Sequence, residues 1–257
     1  MRWTSIFFLL LCVGCKSPPP PPAPPPADPP STPFLLHLPG VSGESIVDHH
    51  LIAGLRQGLQ DQGESVEIQI YDWTENDPGI PALQAYKRNH AEAKKISEML
   101  TARFHADPSR TIYLTCHSGG AGLAVWALED SPAEVKIDSL LLLAPALSPD
   151  CDLSAALSHV RRSADVLWSD RDTGILNFGT RTFGTIDGKF TVSAGYVGFR
   201  QPAKADATQY AKLHQFPYDS AWLKYGHFGD HIGPTATPFA RHVLAGLLIH
   251  DAIPTNP

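Results

Sequence analysis

The sequence predicts an α/β fold from residue 34 to about residue 250, with a mainly parallel sheet of about six strands carrying helices on both faces. Three observations predict it. Short runs such as Phe34–His37, Thr111–Cys116 and Ile137–Leu143 are largely apolar, as strands buried on both faces are. Stretches with helical periodicity lie between them, the alternation that sets parallel strands side by side. The chain has 257 residues, 43% of them hydrophobic, which suffices for one sizeable core but is short for two, and it contains no internal repeat.

Phe34 to His37 forms the first strand and runs into Leu38-Pro39-Gly40-Val41-Ser42-Gly43, where a proline and two glycines stop regular structure. Val47, Leu51, Leu55 and Leu59 recur every four residues and predict a helix, with Asp48, His49 and His50 outside the stripe. Neighbouring helical positions point about 100° apart, so the His49-His50 pair is read as solvated or as pocket rim rather than as metal ligands. Val66, Ile68 and Ile70 alternate within a second strand, Ser65–Tyr71, which ends in Asp72-Trp73-Thr74-Glu75. Tyr86, Ala93, Ile96, Leu100 and Phe104 define the longest helical pattern, Leu83–Phe104. Strand Thr111–Cys116 then meets helix Gly119–Glu129, and strand Ile137–Leu143 follows.

After Ala144-Pro145-Ala146, a short helix is expected over Leu153–Val160 and a strand over Ala164–Trp168, ending in Ser169-Asp170-Arg171-Asp172. From Thr173 to Ala211 periodicity fails, and glycines punctuate aromatic and threonine-rich pieces. A connection that long predicts short hairpins or an excursion over the site, whose aromatics Phe183, Tyr196 and Phe199 either cover substrate or pack on one another. A last strand falls within Leu213–Tyr225. The loop Gly226-His227-Phe228-Gly229-Asp230-His231-Ile232-Gly233 precedes a closing helix with Thr237 as N-cap, Pro238 at its first position, and Phe239, Val243 and Leu247 packing inward.

The first residues read as a targeting segment. Arg2 precedes the apolar run Trp3–Val13, which is too short to span a membrane and has the length of a secretory signal core. Gly14-Cys15 then resembles a bacterial lipoprotein cleavage site, with Cys12 where leucine is usual; Cys15 is the candidate lipidated residue, and an exported, membrane-anchored lipoprotein of the cell envelope is expected. Lys16–Pro33 holds eleven of the 24 prolines. It reads as a stiff polyproline spacer, reaching roughly 50 Å over sixteen residues at about 3.1 Å each. A formal charge of −6 offers no basic patch, which excludes a nucleic-acid partner. Cys116 and Cys151 are read as free core residues, and no paired-cysteine metal pattern occurs.

The stretch Cys116-His117-Ser118-Gly119-Gly120 carries the chemistry. A strand turning sharply into a helix would lift the Ser118 hydroxyl clear of the sheet edge. Residues two before and two after that serine sit where strand and helix nearly touch, so both must be small, and Cys116 and Gly120 are. Glycine is usual at the first of these, so Cys116 is a departure.

Ser118, then an acid after a later strand, then a histidine before the final helix: this order resembles the alpha/beta-hydrolase superfamily over Phe34 to about His250. The resemblance implies that fold with its first two strands reduced or missing. It places the acid at Asp172, three residues after Ser169, with Asp170 and Asp150 as competitors. His231 fits the spacing to the last helix, whereas Gly226-His227-Phe228 matches a frequent local pattern, so His231 is chosen as base with His227 as the alternative. The turn after the first strand corresponds to the superfamily's oxyanion turn, although Leu38-Pro39 departs from its usual residues, and implies backbone N–H donors at Val41 and Gly119.

Two-step acyl transfer is the implied reaction: His231 takes the Ser118 proton, the hydroxyl attacks a carbonyl, and water later releases the acyl group. The implied partner is a small acyl substrate, an ester or thioester, with no metal or organic cofactor required. A surface-tethered binding protein that kept the scaffold without turnover is the alternative, and a transferase or perhydrolase using the same three residues is another.

Overall fold

The computed structural model describes residues 31–75 and 77–249. The expected signal segment, Cys15 and most of the proline-rich spacer lie outside the described residues. One sheet of six parallel strands organises the rest: β1 (Phe34–Leu38), β2 (Glu67–Ile70), β3 (Ile112–His117), β4 (Ile137–Leu143), β5 (Val160–Trp168) and β6 (Leu213–Pro217), in the order β2-β1-β3-β4-β5-β6. The chain moves from β1 outward to β2 and returns to lay β3 on the other side of β1. Connections therefore diverge at the C-terminal ends of β1 and β3, the switch point at which open parallel sheets form a crevice.

Both faces of the sheet are covered, which is why its central strands read as continuous apolar runs. On one face Leu114, Cys116, Leu140, Leu142 and Val166 pack beneath helices α3 and α4. On the other, Tyr113, Leu141, Leu143 and Leu167 meet α1 and the closing helix. The helices are α1 (Ile46–Asp61), α2 (Ile80–Gln84), α3 (Tyr86–Ala106), α4 (Gly120–Glu129) and α5 (Ser154–Ser158). In α1, Leu51, Leu55 and Leu59 are buried as their spacing predicts. A Cβ at Gly54 or Gly58 would come within 2.3 Å of the Thr237 or Arg241 carbonyl, so these two glycines let the closing helix approach α1.

Several elements differ from the sequence reading for local reasons. Asp48 belongs to the buried side of α1: its carboxylate accepts the Ser45 N–H at 2.9 Å and pairs with His37 Nε2 at 3.0 Å, whereas His49 and His50 stay exposed. The long helix is interrupted at Ala85, whose ψ of 51° leaves helical space and separates α2 from α3. β5 begins at Val160, because Val160 pairs with Ile137, and this leaves α5 only five residues. Between Thr173 and Ala211 the chain takes the second of the two expected forms, an excursion beside the site, built not of hairpins but of a π-helical turn (Thr173–Gly179) and the short helices α6 (Thr180–Phe183), α7 (Ala194–Val197) and α8 (Ala207–Tyr210). The closing segment runs through α9 (Thr237–Phe239), a π-helical turn (Ala240–Leu244) and α10 (Ala245–Ile249). Its N-cap is Ala236 rather than Thr237, whose hydroxyl instead donates to the His50 carbonyl at 2.9 Å. Cys116 and Cys151 are both free thiols. No helix among the described residues is long and apolar enough to cross a membrane.

Candidate active site

The β3–α4 turn is strained where the serine sits. Ser118 has φ of 53°, in the left-handed region that a residue with a Cβ seldom adopts, while its N–H donates to the Leu143 carbonyl and its carbonyl accepts from Ala146 N–H. Those two bonds hold the turn to the end of β4. A Cβ at Gly120 would lie 2.5 Å from the carbonyl oxygens of both Leu38 and Pro39, so this position has to be glycine for α4 to start beside β1. The other small position is filled by Cys116, fully buried, with its Sγ 3.5 Å from the Leu141 carbonyl. A thiol therefore fits where the usual glycine is absent. Burial alone pushes its pKa far above the ordinary thiol value, so the group stays neutral.

Three loops at the C-terminal edge of the sheet bring Ser118, His231 and Asp172 together. His231 Nε2 lies 3.0 Å from Ser118 Oγ, and His231 Nδ1 lies 2.6 Å from Asp172 Oδ2. An ionised carboxylate only accepts, so Nδ1–H donates to Asp172 and Nε2 is left to accept from the Ser118 hydroxyl. Asp172 is buried, and its other oxygen accepts N–H groups of Ile175 and Leu176 at 3.3 Å each, capping the π-helical turn. The acid is thus fixed by the segment that forms one wall of the site. Asp170 and Asp150 are exposed, and Asp150 pairs with Arg200 at 2.9 Å, so neither reaches the histidine loop's ring.

His227 sits elsewhere. Its ring stacks on Trp222 with centroids 5.4 Å apart, packs edge-on against Phe239, and accepts the Gly229 N–H through Nδ1 at 3.2 Å. Burial holds its pKa down to about 4, which keeps it neutral inside an aromatic nest under the loop. It shapes the loop that presents His231.

Two positioning contacts carried no signal in the sequence. His117, buried beside the serine, donates through Nε2 to the His231 carbonyl at 3.0 Å, and desolvation together with the neighbouring His231 pushes its pKa well down. Ser169 donates its hydroxyl to the Gly229 carbonyl at 2.6 Å and so ties the acid loop to the histidine loop. Both contacts join residues far apart in the chain, which spacing rules cannot reveal.

Val41 and Gly119 face one another across the crevice: a Cβ on Gly119 would lie 2.7 Å from Val41 Cγ1. Neither backbone N–H has an acceptor within the protein among the described residues. The preceding turn also approaches closely, since a Cβ on Gly40 would lie 3.3 Å from Ser118 Cβ. Trp73 fixes that turn by donating its indole N–H to the Pro39 carbonyl at 2.8 Å.

Six parallel strands flanked by helices, with a serine on a strained turn after β3, define an alpha/beta-hydrolase fold. The chain is similar to several solved structures. The ydeN gene product from B. subtilis is 16% identical, with 84% of this chain and 98% of that one covered at a TM-score of 0.50. An a/b serine hydrolase without lid from Xanthomonas campestris is 14% identical over 89% of this chain and 86% of that one, with a TM-score of 0.47. Dienelactone hydrolase from Anabaena variabilis is 15% identical over 87% and 88%, also at 0.47. At 16% identity the likeness to the B. subtilis product speaks for the fold alone, and chemistry has to be argued from the site. No protein-family model matches the chain, and the comparison with curated proteins gives no match.

Proposed function

We propose that the protein is a serine hydrolase that cleaves carboxylic esters or thioesters through an acyl-enzyme intermediate. The observation that carries this reading is the continuous hydrogen-bonded line from Asp172 through both nitrogens of His231 to Ser118, at 2.6 and 3.0 Å. In the first step His231 takes the hydroxyl proton as Ser118 Oγ attacks the carbonyl carbon. Asp172 holds the tautomer and stabilises the imidazolium. Negative charge on the carbonyl oxygen is met by the Val41 and Gly119 N–H groups, donors worth roughly 100- to 1000-fold each in such sites. His231 then returns its proton to the leaving alcohol or thiol, and water repeats the sequence on the acyl-enzyme. The chemistry calls for no metal or organic cofactor.

A fluorophosphonate probe tests the proposal. Stoichiometric labelling lost in Ser118→Ala is expected, together with hydrolysis of 4-nitrophenyl esters. Absence of labelling in the folded wild-type protein, or labelling that survives the substitution, would leave a binding protein on a hydrolase scaffold. We further propose export and anchoring through a lipid on Cys15, supported by the Trp3–Val13 run followed by Gly14-Cys15. Mass spectrometry of the mature N-terminus decides it: an acylated Cys15 is expected, and an unmodified one rejects the anchor.

A further inference from the structure

Two cavities meet at Ser118, and His231 borders only one of them. The larger, a cleft of about 330 Å³, has Ser118 at one end and is walled by Ile80, Leu83, Leu176, Phe178 and Phe183. Gln84 Nε2 donates to the Phe183 carbonyl at 3.3 Å and links the α2 wall to the α6 wall. The smaller cavity, about 180 Å³, lies by His231 and is bordered by Val41, Val47, Ile175 and Ile232 as well as Ser42 and Asp48.

Proton transfer decides which part of an ester goes where. His231 has to protonate the departing oxygen, so the alcohol must leave on its side of Ser118. His231 lines the smaller cavity but not the larger cleft. The acyl substituent is therefore directed into the cleft, away from the histidine. No charged side chain borders that cleft, and its hydroxyl groups are those of Ser118 and Thr180. Thr180 Oγ1 donates to the Leu176 carbonyl at 2.8 Å, which commits it. A polar or charged acyl tail would lose its water there and find no side chain to replace it. Hydrocarbon would gain about fourfold in transition-state binding for each methylene buried. The volume holds on the order of ten water-sized groups, which as hydrocarbon is a chain of medium length.

Resting on the serine-hydrolase reading, we propose that the substrates are esters with an uncharged, medium-chain acyl group of roughly six to ten carbons seated in this cleft, and that the Leu83 wall selects for it. The alcohol occupies the smaller cavity beside His231.

A chain-length series of 4-nitrophenyl esters, from acetate to dodecanoate, tests this on the wild-type protein, alongside the butyrate and its carboxylate-ended analogue, the 4-nitrophenyl monoester of succinate. We expect kcat/KM to rise at least tenfold from acetate to octanoate, and the succinate monoester to be at least 100-fold poorer than the butyrate. Leu83→Asp is expected to lower the octanoate-to-acetate ratio at least tenfold, with fluorophosphonate labelling as the check on folding. Should that variant fail to label, Leu83→Ser replaces it with the same ratio as readout. Hydrolysis of acetate without preference for chain length, or acceptance of the succinate monoester, overturns the acyl-cleft assignment while leaving the hydrolase standing. Absence of labelling and of turnover on every ester overturns both.

Discussion

Lowering the pH from 7 to 4 should destabilise this protein through its buried neutral histidines, His117 and His227, of which His227 stands apart from the serine and can be tested by itself. His227 is 2% exposed, and its pKa is about 4 in the fold against 6.5 for an ordinary histidine. Above pH 6.5 the ring is neutral in both folded and unfolded chains and contributes no pH dependence. Between 6.5 and 4 the unfolded chain binds a proton that the folded chain refuses, so stability falls by about 1.4 kcal/mol per pH unit. Over that window the loss is about 3 kcal/mol, a large share of the 5–15 kcal/mol typical of a domain. Urea denaturation of wild type and His227→Asn at half-unit steps from pH 7.5 to 4 measures it. Asparagine retains an acceptor for the Gly229 N–H but does not titrate. The variant should be the less stable protein at pH 7, because it loses the stack on Trp222, yet its stability should decline by about 3 kcal/mol less on acidification. Parallel pH profiles for the two proteins would refute the buried, neutral assignment of His227.

The remaining predictions concern catalysis and the turn. His231→Ala should lower kcat/KM on 4-nitrophenyl esters at least about 1000-fold, while His227→Asn stays within about tenfold of wild type; the reverse ranking would make His227 the base. Asp172→Asn should lower kcat by on the order of 10⁴-fold with KM little changed, because the amide favours the wrong imidazole tautomer; a loss confined to KM would argue against that role. Gly120→Ala should cost about 1–3 kcal/mol in urea denaturation, since its Cβ would meet two carbonyl oxygens at 2.5 Å, and unchanged stability would refute the close approach. Residues 31–257 alone should hydrolyse soluble esters with the same kcat and KM as the full chain; a change in either would implicate the segment before β1 in the site.

What could be read in the sequence was whatever is local and periodic. Leu51, Leu55 and Leu59 declared the buried face of α1, and the uninterrupted apolar runs of β3 and β4 declared a sheet covered on both sides. The order of Ser118, Asp172 and His231 was legible because each follows the C-terminal end of a strand. Asp48 was placed outside the buried stripe because it falls off the four-residue spacing of Val47, Leu51, Leu55 and Leu59. Only the three-dimensional fold brings His37 from β1 within 3.0 Å of it. The segment from Thr173 to Ala211 was opaque for a related reason: its short helical turns are held by single contacts such as Asp172 to Ile175 and Thr180 to Leu176, too brief to establish a period. His227 and His231 look alike as letters and are separated by their partners, an aromatic nest for one and a carboxylate with a serine for the other.

The polarity of the sheet bears on how such a site would meet its substrate. All six strands run the same way, so Ser118, Asp172, His231 and the Val41 turn gather at the edge where strands end, while Phe34 starts β1 at the opposite edge. Five residues of strand at about 3.3 Å each separate the two edges by roughly 17 Å of buried backbone. Whatever precedes Phe34 therefore joins the domain across the sheet from the cleft. The apolar rim of the cleft, including Phe178 at 70% exposed, lies at the far edge from that junction.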